Sequence, residues 1–481
     1  MSVRKSVFWA FAGQIISFTT TLGTSIIVAR LLSPHEMGIY AVAFATVGVL
    51  QIMTAFDIAS YIVREKHLDA RTLDTAFTVN AVLLAGLAVI TYGLSFAGAA
   101  FYGEPAVADA LQLLALGPLL SIFEFRPAAM LQRDMQFKWI SIVTAARTLI
   151  GSLVTVATAF AGFSYMSLAF GYLAYGATGL LISNIVAGQH ASLRLSMQNW
   201  RTIGLFGFRM MSISGLANLV VRLSDIILGR MLGLAALGLY SRAGGISSLI
   251  FQNIYGTATR VVFVQLARDY RETGVLRDTF LRGLQMITAV MWPILIGLAI
   301  LSRPVILILF GEQWIPAATP LSLLLVAQFL TLCFGMNWEL FVLRDETARQ
   351  TRYEAIRACV SLALFVVGCS ISLSAAAASR IAEALVGLLL YLPHMNRMAG
   401  TSSADLIRTY AQSALLTAVA TAPALLLMMS SGWSAATPIP MMAASVATGI
   451  LLWLATVALL KHPLFDELAH VGRRVRGLRR A

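Results

Sequence analysis

One apolar stretch of this chain contains charged residues whose types and spacing are suited to chemistry. The stretch reads FGFRMMSISGLANLVVRLSDIILGR, residues 206–230. Arg222 and Asp225 are three residues apart, so a helix places them on one face, where they can form an ion pair. Arg209 precedes Arg222 by thirteen residues, which is about 20 Å along a helix axis. Because arginine stays charged and offers a fork of donors, this face is suited to a phosphate-bearing ligand.

Further ionisable residues interrupt other apolar segments. They are Asp57, Glu124, Arg126, Arg147, Arg209, Arg222, Asp225, Arg242, Arg260, Glu339 and Glu383. Charges inside a membrane are costly and usually face a cavity. The candidates for a cationic, substrate-binding cavity are Arg222, Arg147, Arg242, Arg209 and Arg260. The alternative is snorkelling, in which a long arginine side chain reaches the membrane interface. That alternative is strongest for Arg209 and Arg260, which lie near the predicted cytoplasmic ends of their segments.

Three carboxylates are candidates for coupling or gating: Asp225, Asp57 and Glu124. The structural alternative for Asp225 is a salt bridge that holds Arg222 in place. Asp57 and Glu124 lie near cytoplasmic ends, where pairing with Arg126 or Arg133 would lock one state. Burial of a carboxylate does not by itself identify a coupling ion.

The motifs that the chain lacks exclude several kinds of chemistry. It contains no GxxxxGK[ST] loop, no HExxH and no paired CxxC, so we expect no ATP hydrolysis, no metal site and no cofactor. The three cysteines lie inside apolar segments and predict packing rather than a disulfide framework. No arrangement predicts a nucleophile, so we expect no catalytic residues and no enzymatic activity.

The elements that position these side chains are membrane helices. The chain has 481 residues, of which 58% are hydrophobic and 12% charged, and many apolar runs reach about 20 residues, enough to cross a bilayer. Hydropathy therefore predicts an all-α polytopic membrane protein with about fourteen spans. They lie near 7–28, 38–61, 76–99, 109–131, 139–160, 164–186, 206–228, 239–265, 283–303, 316–342, 355–374, 377–393, 408–428 and 437–459.

The distribution of basic residues predicts the orientation of these spans. If the amino terminus is cytoplasmic, most arginines and lysines fall in inside loops, while Arg30, Arg230, Arg303 and Arg380 fall outside. That asymmetry follows the positive-inside rule and places both termini in the cytoplasm. It also explains the net charge of +13 without a nucleic-acid partner. The basic tail, residues 461–481, is either an interfacial helix held by anionic lipid or a solvated segment.

Three motifs occur twice in the same order, which predicts an internal duplication. ARLLSPHEMGIYAVA begins at Ala29, and GRMLGLAALGLYSRA begins at Gly229, 200 residues later. Tyr102-Gly103-Glu104 corresponds to Phe310-Gly311-Glu312, and Arg133-Asp134 to Arg344-Asp345, at offsets of 208 and 211 residues. Six spans per repeat is an even number, so the repeats are parallel. Gly38 and Gly238 start the second span of each repeat, where helix backbones can pack closely.

The duplication predicts the domain organisation. An N-terminal lobe with spans 1–6 covers residues 1–186, and a cytoplasmic linker covers 187–205. A C-terminal lobe with spans 7–12 covers 206–393. Two appended spans cover 394–460, and the basic tail covers 461–481. Parallel duplications of this kind place the substrate path between two lobes that rock to give alternating access.

The motifs resemble a known family, the polysaccharide flippases of the Wzx type. The opening stretch ARLLSPHEMGIYAVA is similar to that family's first signature, DIILGRMLGLAALGLYSRA at 225–243 to its midpoint signature, and RPVILILFGEQWIPAATPLSLL at 303–324 to a later one. The resemblance covers essentially the whole chain. It implies the fold of the multidrug/oligosaccharidyl-lipid/polysaccharide superfamily, in which two six-helix lobes face each other as a V.

The resemblance also implies a function, which we write as an expectation. Such a protein moves an undecaprenyl-diphosphate-linked oligosaccharide repeat unit across the bacterial inner membrane, for exopolysaccharide, capsule or lipopolysaccharide export. The expected partners are inner-membrane lipids, a polysaccharide polymerase and a chain-length regulator, with the chain itself a monomer. A lipid II or multidrug exporter of the same superfamily is an alternative. A membrane polysaccharide polymerase or ligase is a further alternative, although the short outer loops and the duplication disfavour it.

Overall fold

Long helices make up the chain, as the apolar runs predict. The computed structural model describes residues 3–54, 58–65, 68–198 and 200–465. The side chains of 3–12, 52–54 and 206–217 lie outside this description. Within the described ranges the backbone forms helices and connecting loops and contains no strand, which confirms the predicted all-α class.

The chain divides into two compact units, Met1–Gly238 and Leu239–Ala481. The first contains α1 Val3–Leu31, α2 Pro34–Thr54, α3 Ile58–Arg64, α4 Ala70–Tyr102, α5 Pro105–Leu114, α6 Leu116–Arg133, α7 Phe137–Phe160, α8 Met166–Ala187 and α9 Trp200–Leu232. The helix α10, Leu234–Ile250, begins in the first unit and continues in the second. Within the first unit α9 packs against α2 and α4. The predicted lobe boundaries describe the repeat in the sequence and stay a prediction.

The remaining helices belong to the second unit. They are α11 Gly256–Thr273, α12 Arg277–Ile300, α13 Ser302–Phe310, α14 Ala318–Thr331, α15 Asn337–Leu343, α16 Thr347–Cys369, α17 Leu373–Ala399, α18 Ser403–Ser430 and α19 Ile439–Leu459. A π-helical turn, Phe251–Tyr255, joins α10 to α11. A helix therefore continues through the predicted span near 239–265, but its hydrogen-bond pattern changes in the middle.

Eleven helical segments among the described residues are long and apolar enough to cross a membrane. The chain is therefore a multi-pass membrane protein. The predicted spans near 38–61, 206–228 and 355–374 are not among these eleven, although their described residues are also helical. The first half of α16 carries charged residues such as Arg352 and Glu354, which lowers its mean hydropathy. The number fourteen stays a prediction.

The first repeated motif forms a reciprocal backbone contact within the first unit. Gly38 and Gly238 each lie one turn into their helices, α2 and α10. A Cβ at Gly38 would lie 1.8 Å from the carbonyl oxygen of Leu234, and a Cβ at Gly238 would lie 1.8 Å from that of Pro34. Only glycine leaves room for backbones this close. The contact confirms the close packing predicted from the repeat.

The second repeated motif places a glycine with positive φ directly after a helix in both units. Gly103 follows α4 with φ +68°, and Gly311 follows α13 with φ +96°. Residues with a Cβ rarely adopt such values. The two ends differ in ψ, which is 22° at Gly103, a left-handed helical cap, and 178° at Gly311, where the chain becomes extended.

The third repeated motif is shifted by one residue from the predicted alignment. The amide of Gln136 donates to Leu131 O and that of Glu346 to Phe341 O, which is an offset of 210 rather than 211 residues. The left-handed residue of each turn, Met135 at φ 52° or Asp345 at φ 57°, obeys the same offset. The motif alignment paired identical side chains. The two turns are instead made equivalent by the position of their left-handed residue, which gives the offset of one residue.

The loop between α15 and α16 is fixed to the end of α17. Arg344 donates from Nε and Nη2 to the carbonyl oxygen of Met398, at 3.0 and 2.7 Å. The carboxylate of Glu346 accepts from Arg397 at 2.6 Å and from Arg349 at 2.5 Å. This loop carries basic residues that the orientation prediction places in the cytoplasm.

We expect the Glu346 cluster to make stability depend on pH. Partial burial alone raises the pKa of Glu346, but hydrogen bonding and attraction to Arg397, together with Arg349, outweigh it and hold this pKa below its ordinary value of 4.5. The ionised Glu346 therefore stabilises the folded state fully above pH 4.5, and this stabilisation is lost as the pH falls through the lowered pKa. Glu346→Gln should lower the melting temperature by about 1–3 °C at pH 7.

The measurement is thermal unfolding of wild type and Glu346→Gln in detergent between pH 7 and pH 3. The difference between the two proteins should shrink below pH 4.5. Glu272→Gln, which removes an exposed partner of Arg268, is the control for a general loss of charge. A difference that stays constant over the whole range would contradict the assignment.

Polar side chains hold α12, α18 and α19 together in the second unit. The Thr288 and Ser413 hydroxyls lie 2.8 Å apart, and Gln285 Nε2 donates to Gln412 Oε1 at 2.7 Å. Trp453 Nε1 donates to the carbonyl oxygen of Ala289 at 2.9 Å. In lipid, where apolar side chains gain little by associating, such bonds and close packing provide helix–helix affinity.

Candidate functional site

Arg222 is placed deep in the first unit by α9 and α2. It precedes the end of α9, Leu232, by ten residues, or about 15 Å, which is half of a hydrocarbon core of about 30 Å. Its guanidinium carbon lies 4.9 Å from the ring centroid of Phe44. Nη1 lies 3.9 Å from Oδ2 of Asp225, which confirms the predicted pair. The Arg222 side chain remains 32% exposed.

The absence of a side chain at Gly48 makes room for Arg222. A Cβ at Gly48 would lie 2.6 Å from Nε of Arg222. Gly48 and Phe44 are four residues apart on α2 and therefore share a face, so one supplies space and the other an aromatic ring. Cation–π attraction favours this position. These contacts keep the guanidinium at the depth of its own Cα instead of at the interface, where a snorkelling arginine would lie.

A second cation of the first unit, Arg147, lies at a similar depth on α7. Its Nη1 lies 3.0 Å from Oε1 of Glu124 on α6, and its guanidinium carbon lies 4.2 Å from the ring centroid of Tyr175 on α8. A Cβ at Gly179 would lie within 3 Å of both charged groups. Three helices thus converge on one ion pair. The Arg147 side chain is 23% exposed.

The predicted partners of Glu124 are wrong. Arg126 bonds Asp74 Oδ1 at 2.7 Å and the Ser192 carbonyl at 2.9 Å, while Arg133 donates to the carbonyl of Ile62. Residues two apart on a helix point to different sides, so Arg126 faces away from Glu124. The cation that completes the pair, Arg147, comes from another helix, which the spacing along α6 does not reveal.

Arg242 and Arg260, the other arginine candidates with described side chains, lie on α10 and α11. Arg242 lies in the second unit, 9% exposed, and its guanidinium carbon lies 5.0 Å from the Phe310 ring and 5.3 Å from the Trp314 ring. Arg260 is exposed on α11 and donates to the Gly256 carbonyl at 2.9 Å. Asp57 and the side chain of Arg209 lie outside the described residues.

An ionic network that was not predicted from the sequence joins α16 to α17. Arg357 bonds Glu354 at 2.8 Å and Glu383 at 3.3 Å. Arg380 bonds Glu383 at 2.9 Å and the Ser361 hydroxyl at 2.6 Å. We predicted Arg380 in an outside loop, but α17 already begins at Leu373. The signal was present in the two pairs spaced by three residues, one on each helix.

Known proteins share both the sequence and the fold. The succinoglycan biosynthesis transport protein ExoT of Rhizobium meliloti (strain 1021) is 27% identical over 342 residues, which are 69% of this chain and 67% of that protein. The lipopolysaccharide biosynthesis protein WzxC of Escherichia coli (strain K12) is 25% identical over 340 residues, 69% and 68% of the two chains.

A solved structure, the lipid II flippase MurJ in an inward closed conformation, superimposes with a TM-score of 0.75 at 11% identity, over 95% of this chain and all of that one. That likeness describes the fold. The family model described as "Polysaccharide biosynthesis protein" matches residues 27–319, more than half of the chain, which confirms the resemblance found in the motifs. The chain therefore belongs to the polysaccharide biosynthesis protein family.

Proposed function

We propose that this chain is a flippase for lipid-linked oligosaccharides. It moves undecaprenyl-diphosphate-linked repeat units from the cytoplasmic to the periplasmic leaflet of the bacterial inner membrane by alternating access. The proposal is supported by the family, by relatives named for biosynthesis and transport of succinoglycan and lipopolysaccharide, and by the cations within the helices of the first unit. In this proposal the chain performs no bond chemistry, has both termini in the cytoplasm and acts as a monomer alongside a polymerase and a chain-length regulator.

The observation that carries the proposal is the position of Arg222. Its guanidinium lies against Phe44 and Gly48, ten residues or about 15 Å before the end of α9, with a third of the side chain exposed. A diphosphate head group needs a cation at that depth because hydrocarbon cannot solvate it. Guanidinium donors fit phosphate oxygens in pairs, while the polyprenyl tail can remain in lipid. In this proposal Arg147, Arg242, Arg209 and Arg260 are further binding candidates, and Asp225, Glu124 and Asp57 are coupling or gating candidates.

The ion pair of Arg222 gives a physical role to Asp225. At 3.9 Å the carboxylate is close enough to compensate the arginine when no substrate is present. A phosphate that binds Arg222 would replace this contact, so the two anions compete for one cation. Asp225 then returns Arg222 to its resting position after release.

The test is the leaflet on which the lipid-linked repeat unit accumulates in a strain that lacks this protein. We expect accumulation on the cytoplasmic face, with restored surface polysaccharide when the wild-type chain returns. Arg222→Ala at matched protein level should reduce the polysaccharide by about 10- to 100-fold, because a hydrogen bond to a charged group contributes about 1.5–3 kcal/mol. Arg268→Ala, an exposed arginine on α11, is the matched control and should restore export fully.

Three other results of this experiment would each contradict a different part of the proposal. Accumulation on the periplasmic face would indicate a polymerase or ligase. Accumulation of lipid II instead of a polysaccharide precursor would indicate the related exporter, whose substrate carries the same diphosphate. Full export by Arg222→Ala would leave the flippase in place but remove this arginine from the substrate path.

A further inference from the structure

A polar cavity lies at one end of the second unit, at a distance along the chain from the candidate site. Its volume is about 410 Å³, and it opens between the first turns of α12 and the turn that follows α19. The lining residues are Asp278, Leu281, Arg282, Gln285, Lys461 and Pro463. The orientation prediction places this end in the cytoplasm.

The turn after α19 holds Lys461 in a defined position. Lys461 adopts φ 47° in the left-handed region, and its amide donates to Ala458 O at 3.2 Å. The next amide, that of His462, donates to Val457 O at 3.1 Å. The His462 side chain is only 3% exposed, so it anchors the turn. This helix-terminating arrangement presents the lysine side chain to the cavity instead of continuing the helix.

Cations outnumber carboxylates among the described residues that line the cavity. Arg282 and Lys461 are both exposed and line it from two different elements. The one carboxylate in this described set, Asp278, lies 3.6 Å from Arg277 and is 90% exposed. Gln285 supplies an amide whose orientation is fixed by its bond to Gln412. Two cations and an amide around a small open cavity are a suitable donor set for one phosphate group.

Exposed apolar side chains lie next to Lys461 in the sequence. Leu459 is 81% exposed, Leu460 43% and Phe465 46%, and they flank Lys461 along the chain. At the end of a membrane-spanning helix such residues contact acyl chains, while the lysine reaches the interface. This end of the second unit therefore combines a cationic cavity with exposed apolar residues beside Lys461 in the sequence, a combination that suits a lipid head group and its chains.

We infer that this cavity, which we call the α12–α19 site, binds the head group of an anionic phospholipid of the cytoplasmic leaflet. Basic pockets between membrane helices on this side are suited to such head groups. The sequence beyond Phe465 begins with Asp466 and Glu467 and ends with five arginines within the last nine residues, so the tail is basic overall and suited to an anionic membrane surface. The inference concerns a bound lipid rather than the transported one and does not depend on the proposed function.

The test uses the full chain in nanodiscs of phosphatidylcholine, with or without one fifth phosphatidylglycerol or cardiolipin. Native mass spectrometry gives the apparent affinity of each lipid, and thermal unfolding gives its stabilisation. We expect Arg282→Gln with Lys461→Gln to weaken anionic lipid binding by about 30-fold, since each of the two cations near such a surface contributes about 1 kcal/mol. Arg282→Lys with Lys461→Arg should retain most of it. Arg268→Gln with Arg271→Gln, an exposed pair on α11, removes equal charge elsewhere.

Four outcomes would overturn the inference. The first is equal loss in the α11 control, which would indicate diffuse charge attraction. The second is unchanged lipid binding by Arg282→Gln with Lys461→Gln, together with complete loss of binding when residues 466–481 are removed. That result would assign the lipid to the tail. Equal stabilisation by inorganic phosphate in pure phosphatidylcholine would identify a soluble anion instead. Finally, no preference of the wild type for anionic over neutral lipid would remove the site.

Discussion

Gly38→Ala should prevent this protein from folding to a monodisperse state. The new Cβ would lie 1.8 Å from the Leu234 carbonyl oxygen, and the obstacle is backbone, which cannot rotate away as a side chain can. Overpacking that only displaces side chains costs about 1–3 kcal/mol, so we expect at least about 3 kcal/mol here. Gly238→Ala should have the same effect, because its Cβ meets the Pro34 carbonyl at the same distance.

The measurement is the fraction of protein that elutes as a monodisperse peak in detergent, and its melting temperature. Gly86→Ala is the matched control, because Gly86 lies within α4 and a methyl group added there would have no neighbouring atom within 4 Å. Alanine is the better helix former by about 1 kcal/mol, so the control should be neutral or stabilising. Normal folding of both Gly38→Ala and Gly238→Ala would show that the helices separate at little cost and would contradict the contact.

Glu383→Gln should produce the second large effect. This carboxylate accepts from Arg357, Arg380 and Ser361, and its side chain is 16% exposed. The amide removes the charge that two partly buried arginines share, and its NH₂ group faces donors. Breaking a buried ionic network by removing one partner costs about 3–5 kcal/mol. We expect a fall of several degrees in the melting temperature and less folded protein.

Two comparisons separate this effect from a general loss of charge. Glu272→Gln, at an exposed pair, should leave the melting temperature unchanged. Arg380→Met combined with Glu383→Leu should recover part of the stability, since apolar replacements of a whole pair are often neutral or better. A melting temperature for Glu383→Gln equal to that of Glu272→Gln would mean that the network contributes nothing measurable.

Local spacing explains what was predictable about the site. Arg222 and Asp225 are three residues apart on one helix, and the structure confirms their pairing. The glycines at 38 and 238 occupy equivalent positions of two copies of one motif, which predicts close backbone packing at each of them. Both inferences need only the geometry of a helix or an internal alignment. That these two helix starts pack against each other is known only from the tertiary structure.

Contacts between helices were not predictable in the same way. Glu124 pairs with Arg147, and Arg126 with Asp74, across 23 and 52 residues of sequence. The connection between α16 and α17 through this network was likewise not predictable from the sequence, although each helix carries its own charged pair. In a bundle of similar apolar helices many neighbour arrangements bury equal apolar area, so hydropathy cannot choose between them.

The sequence by itself determined that this chain is helical and membrane-spanning and that it contains three repeated motifs, because apolar run length, charge placement and motif order are properties of the linear chain. Only the tertiary structure decided which carboxylate compensates each arginine and that Arg222 lies against Phe44 and Gly48. The reason is physical. Because a charge in a membrane is costly, each intramembrane arginine needs a partner or a polar environment. The packing of helices against one another decides which residue provides it.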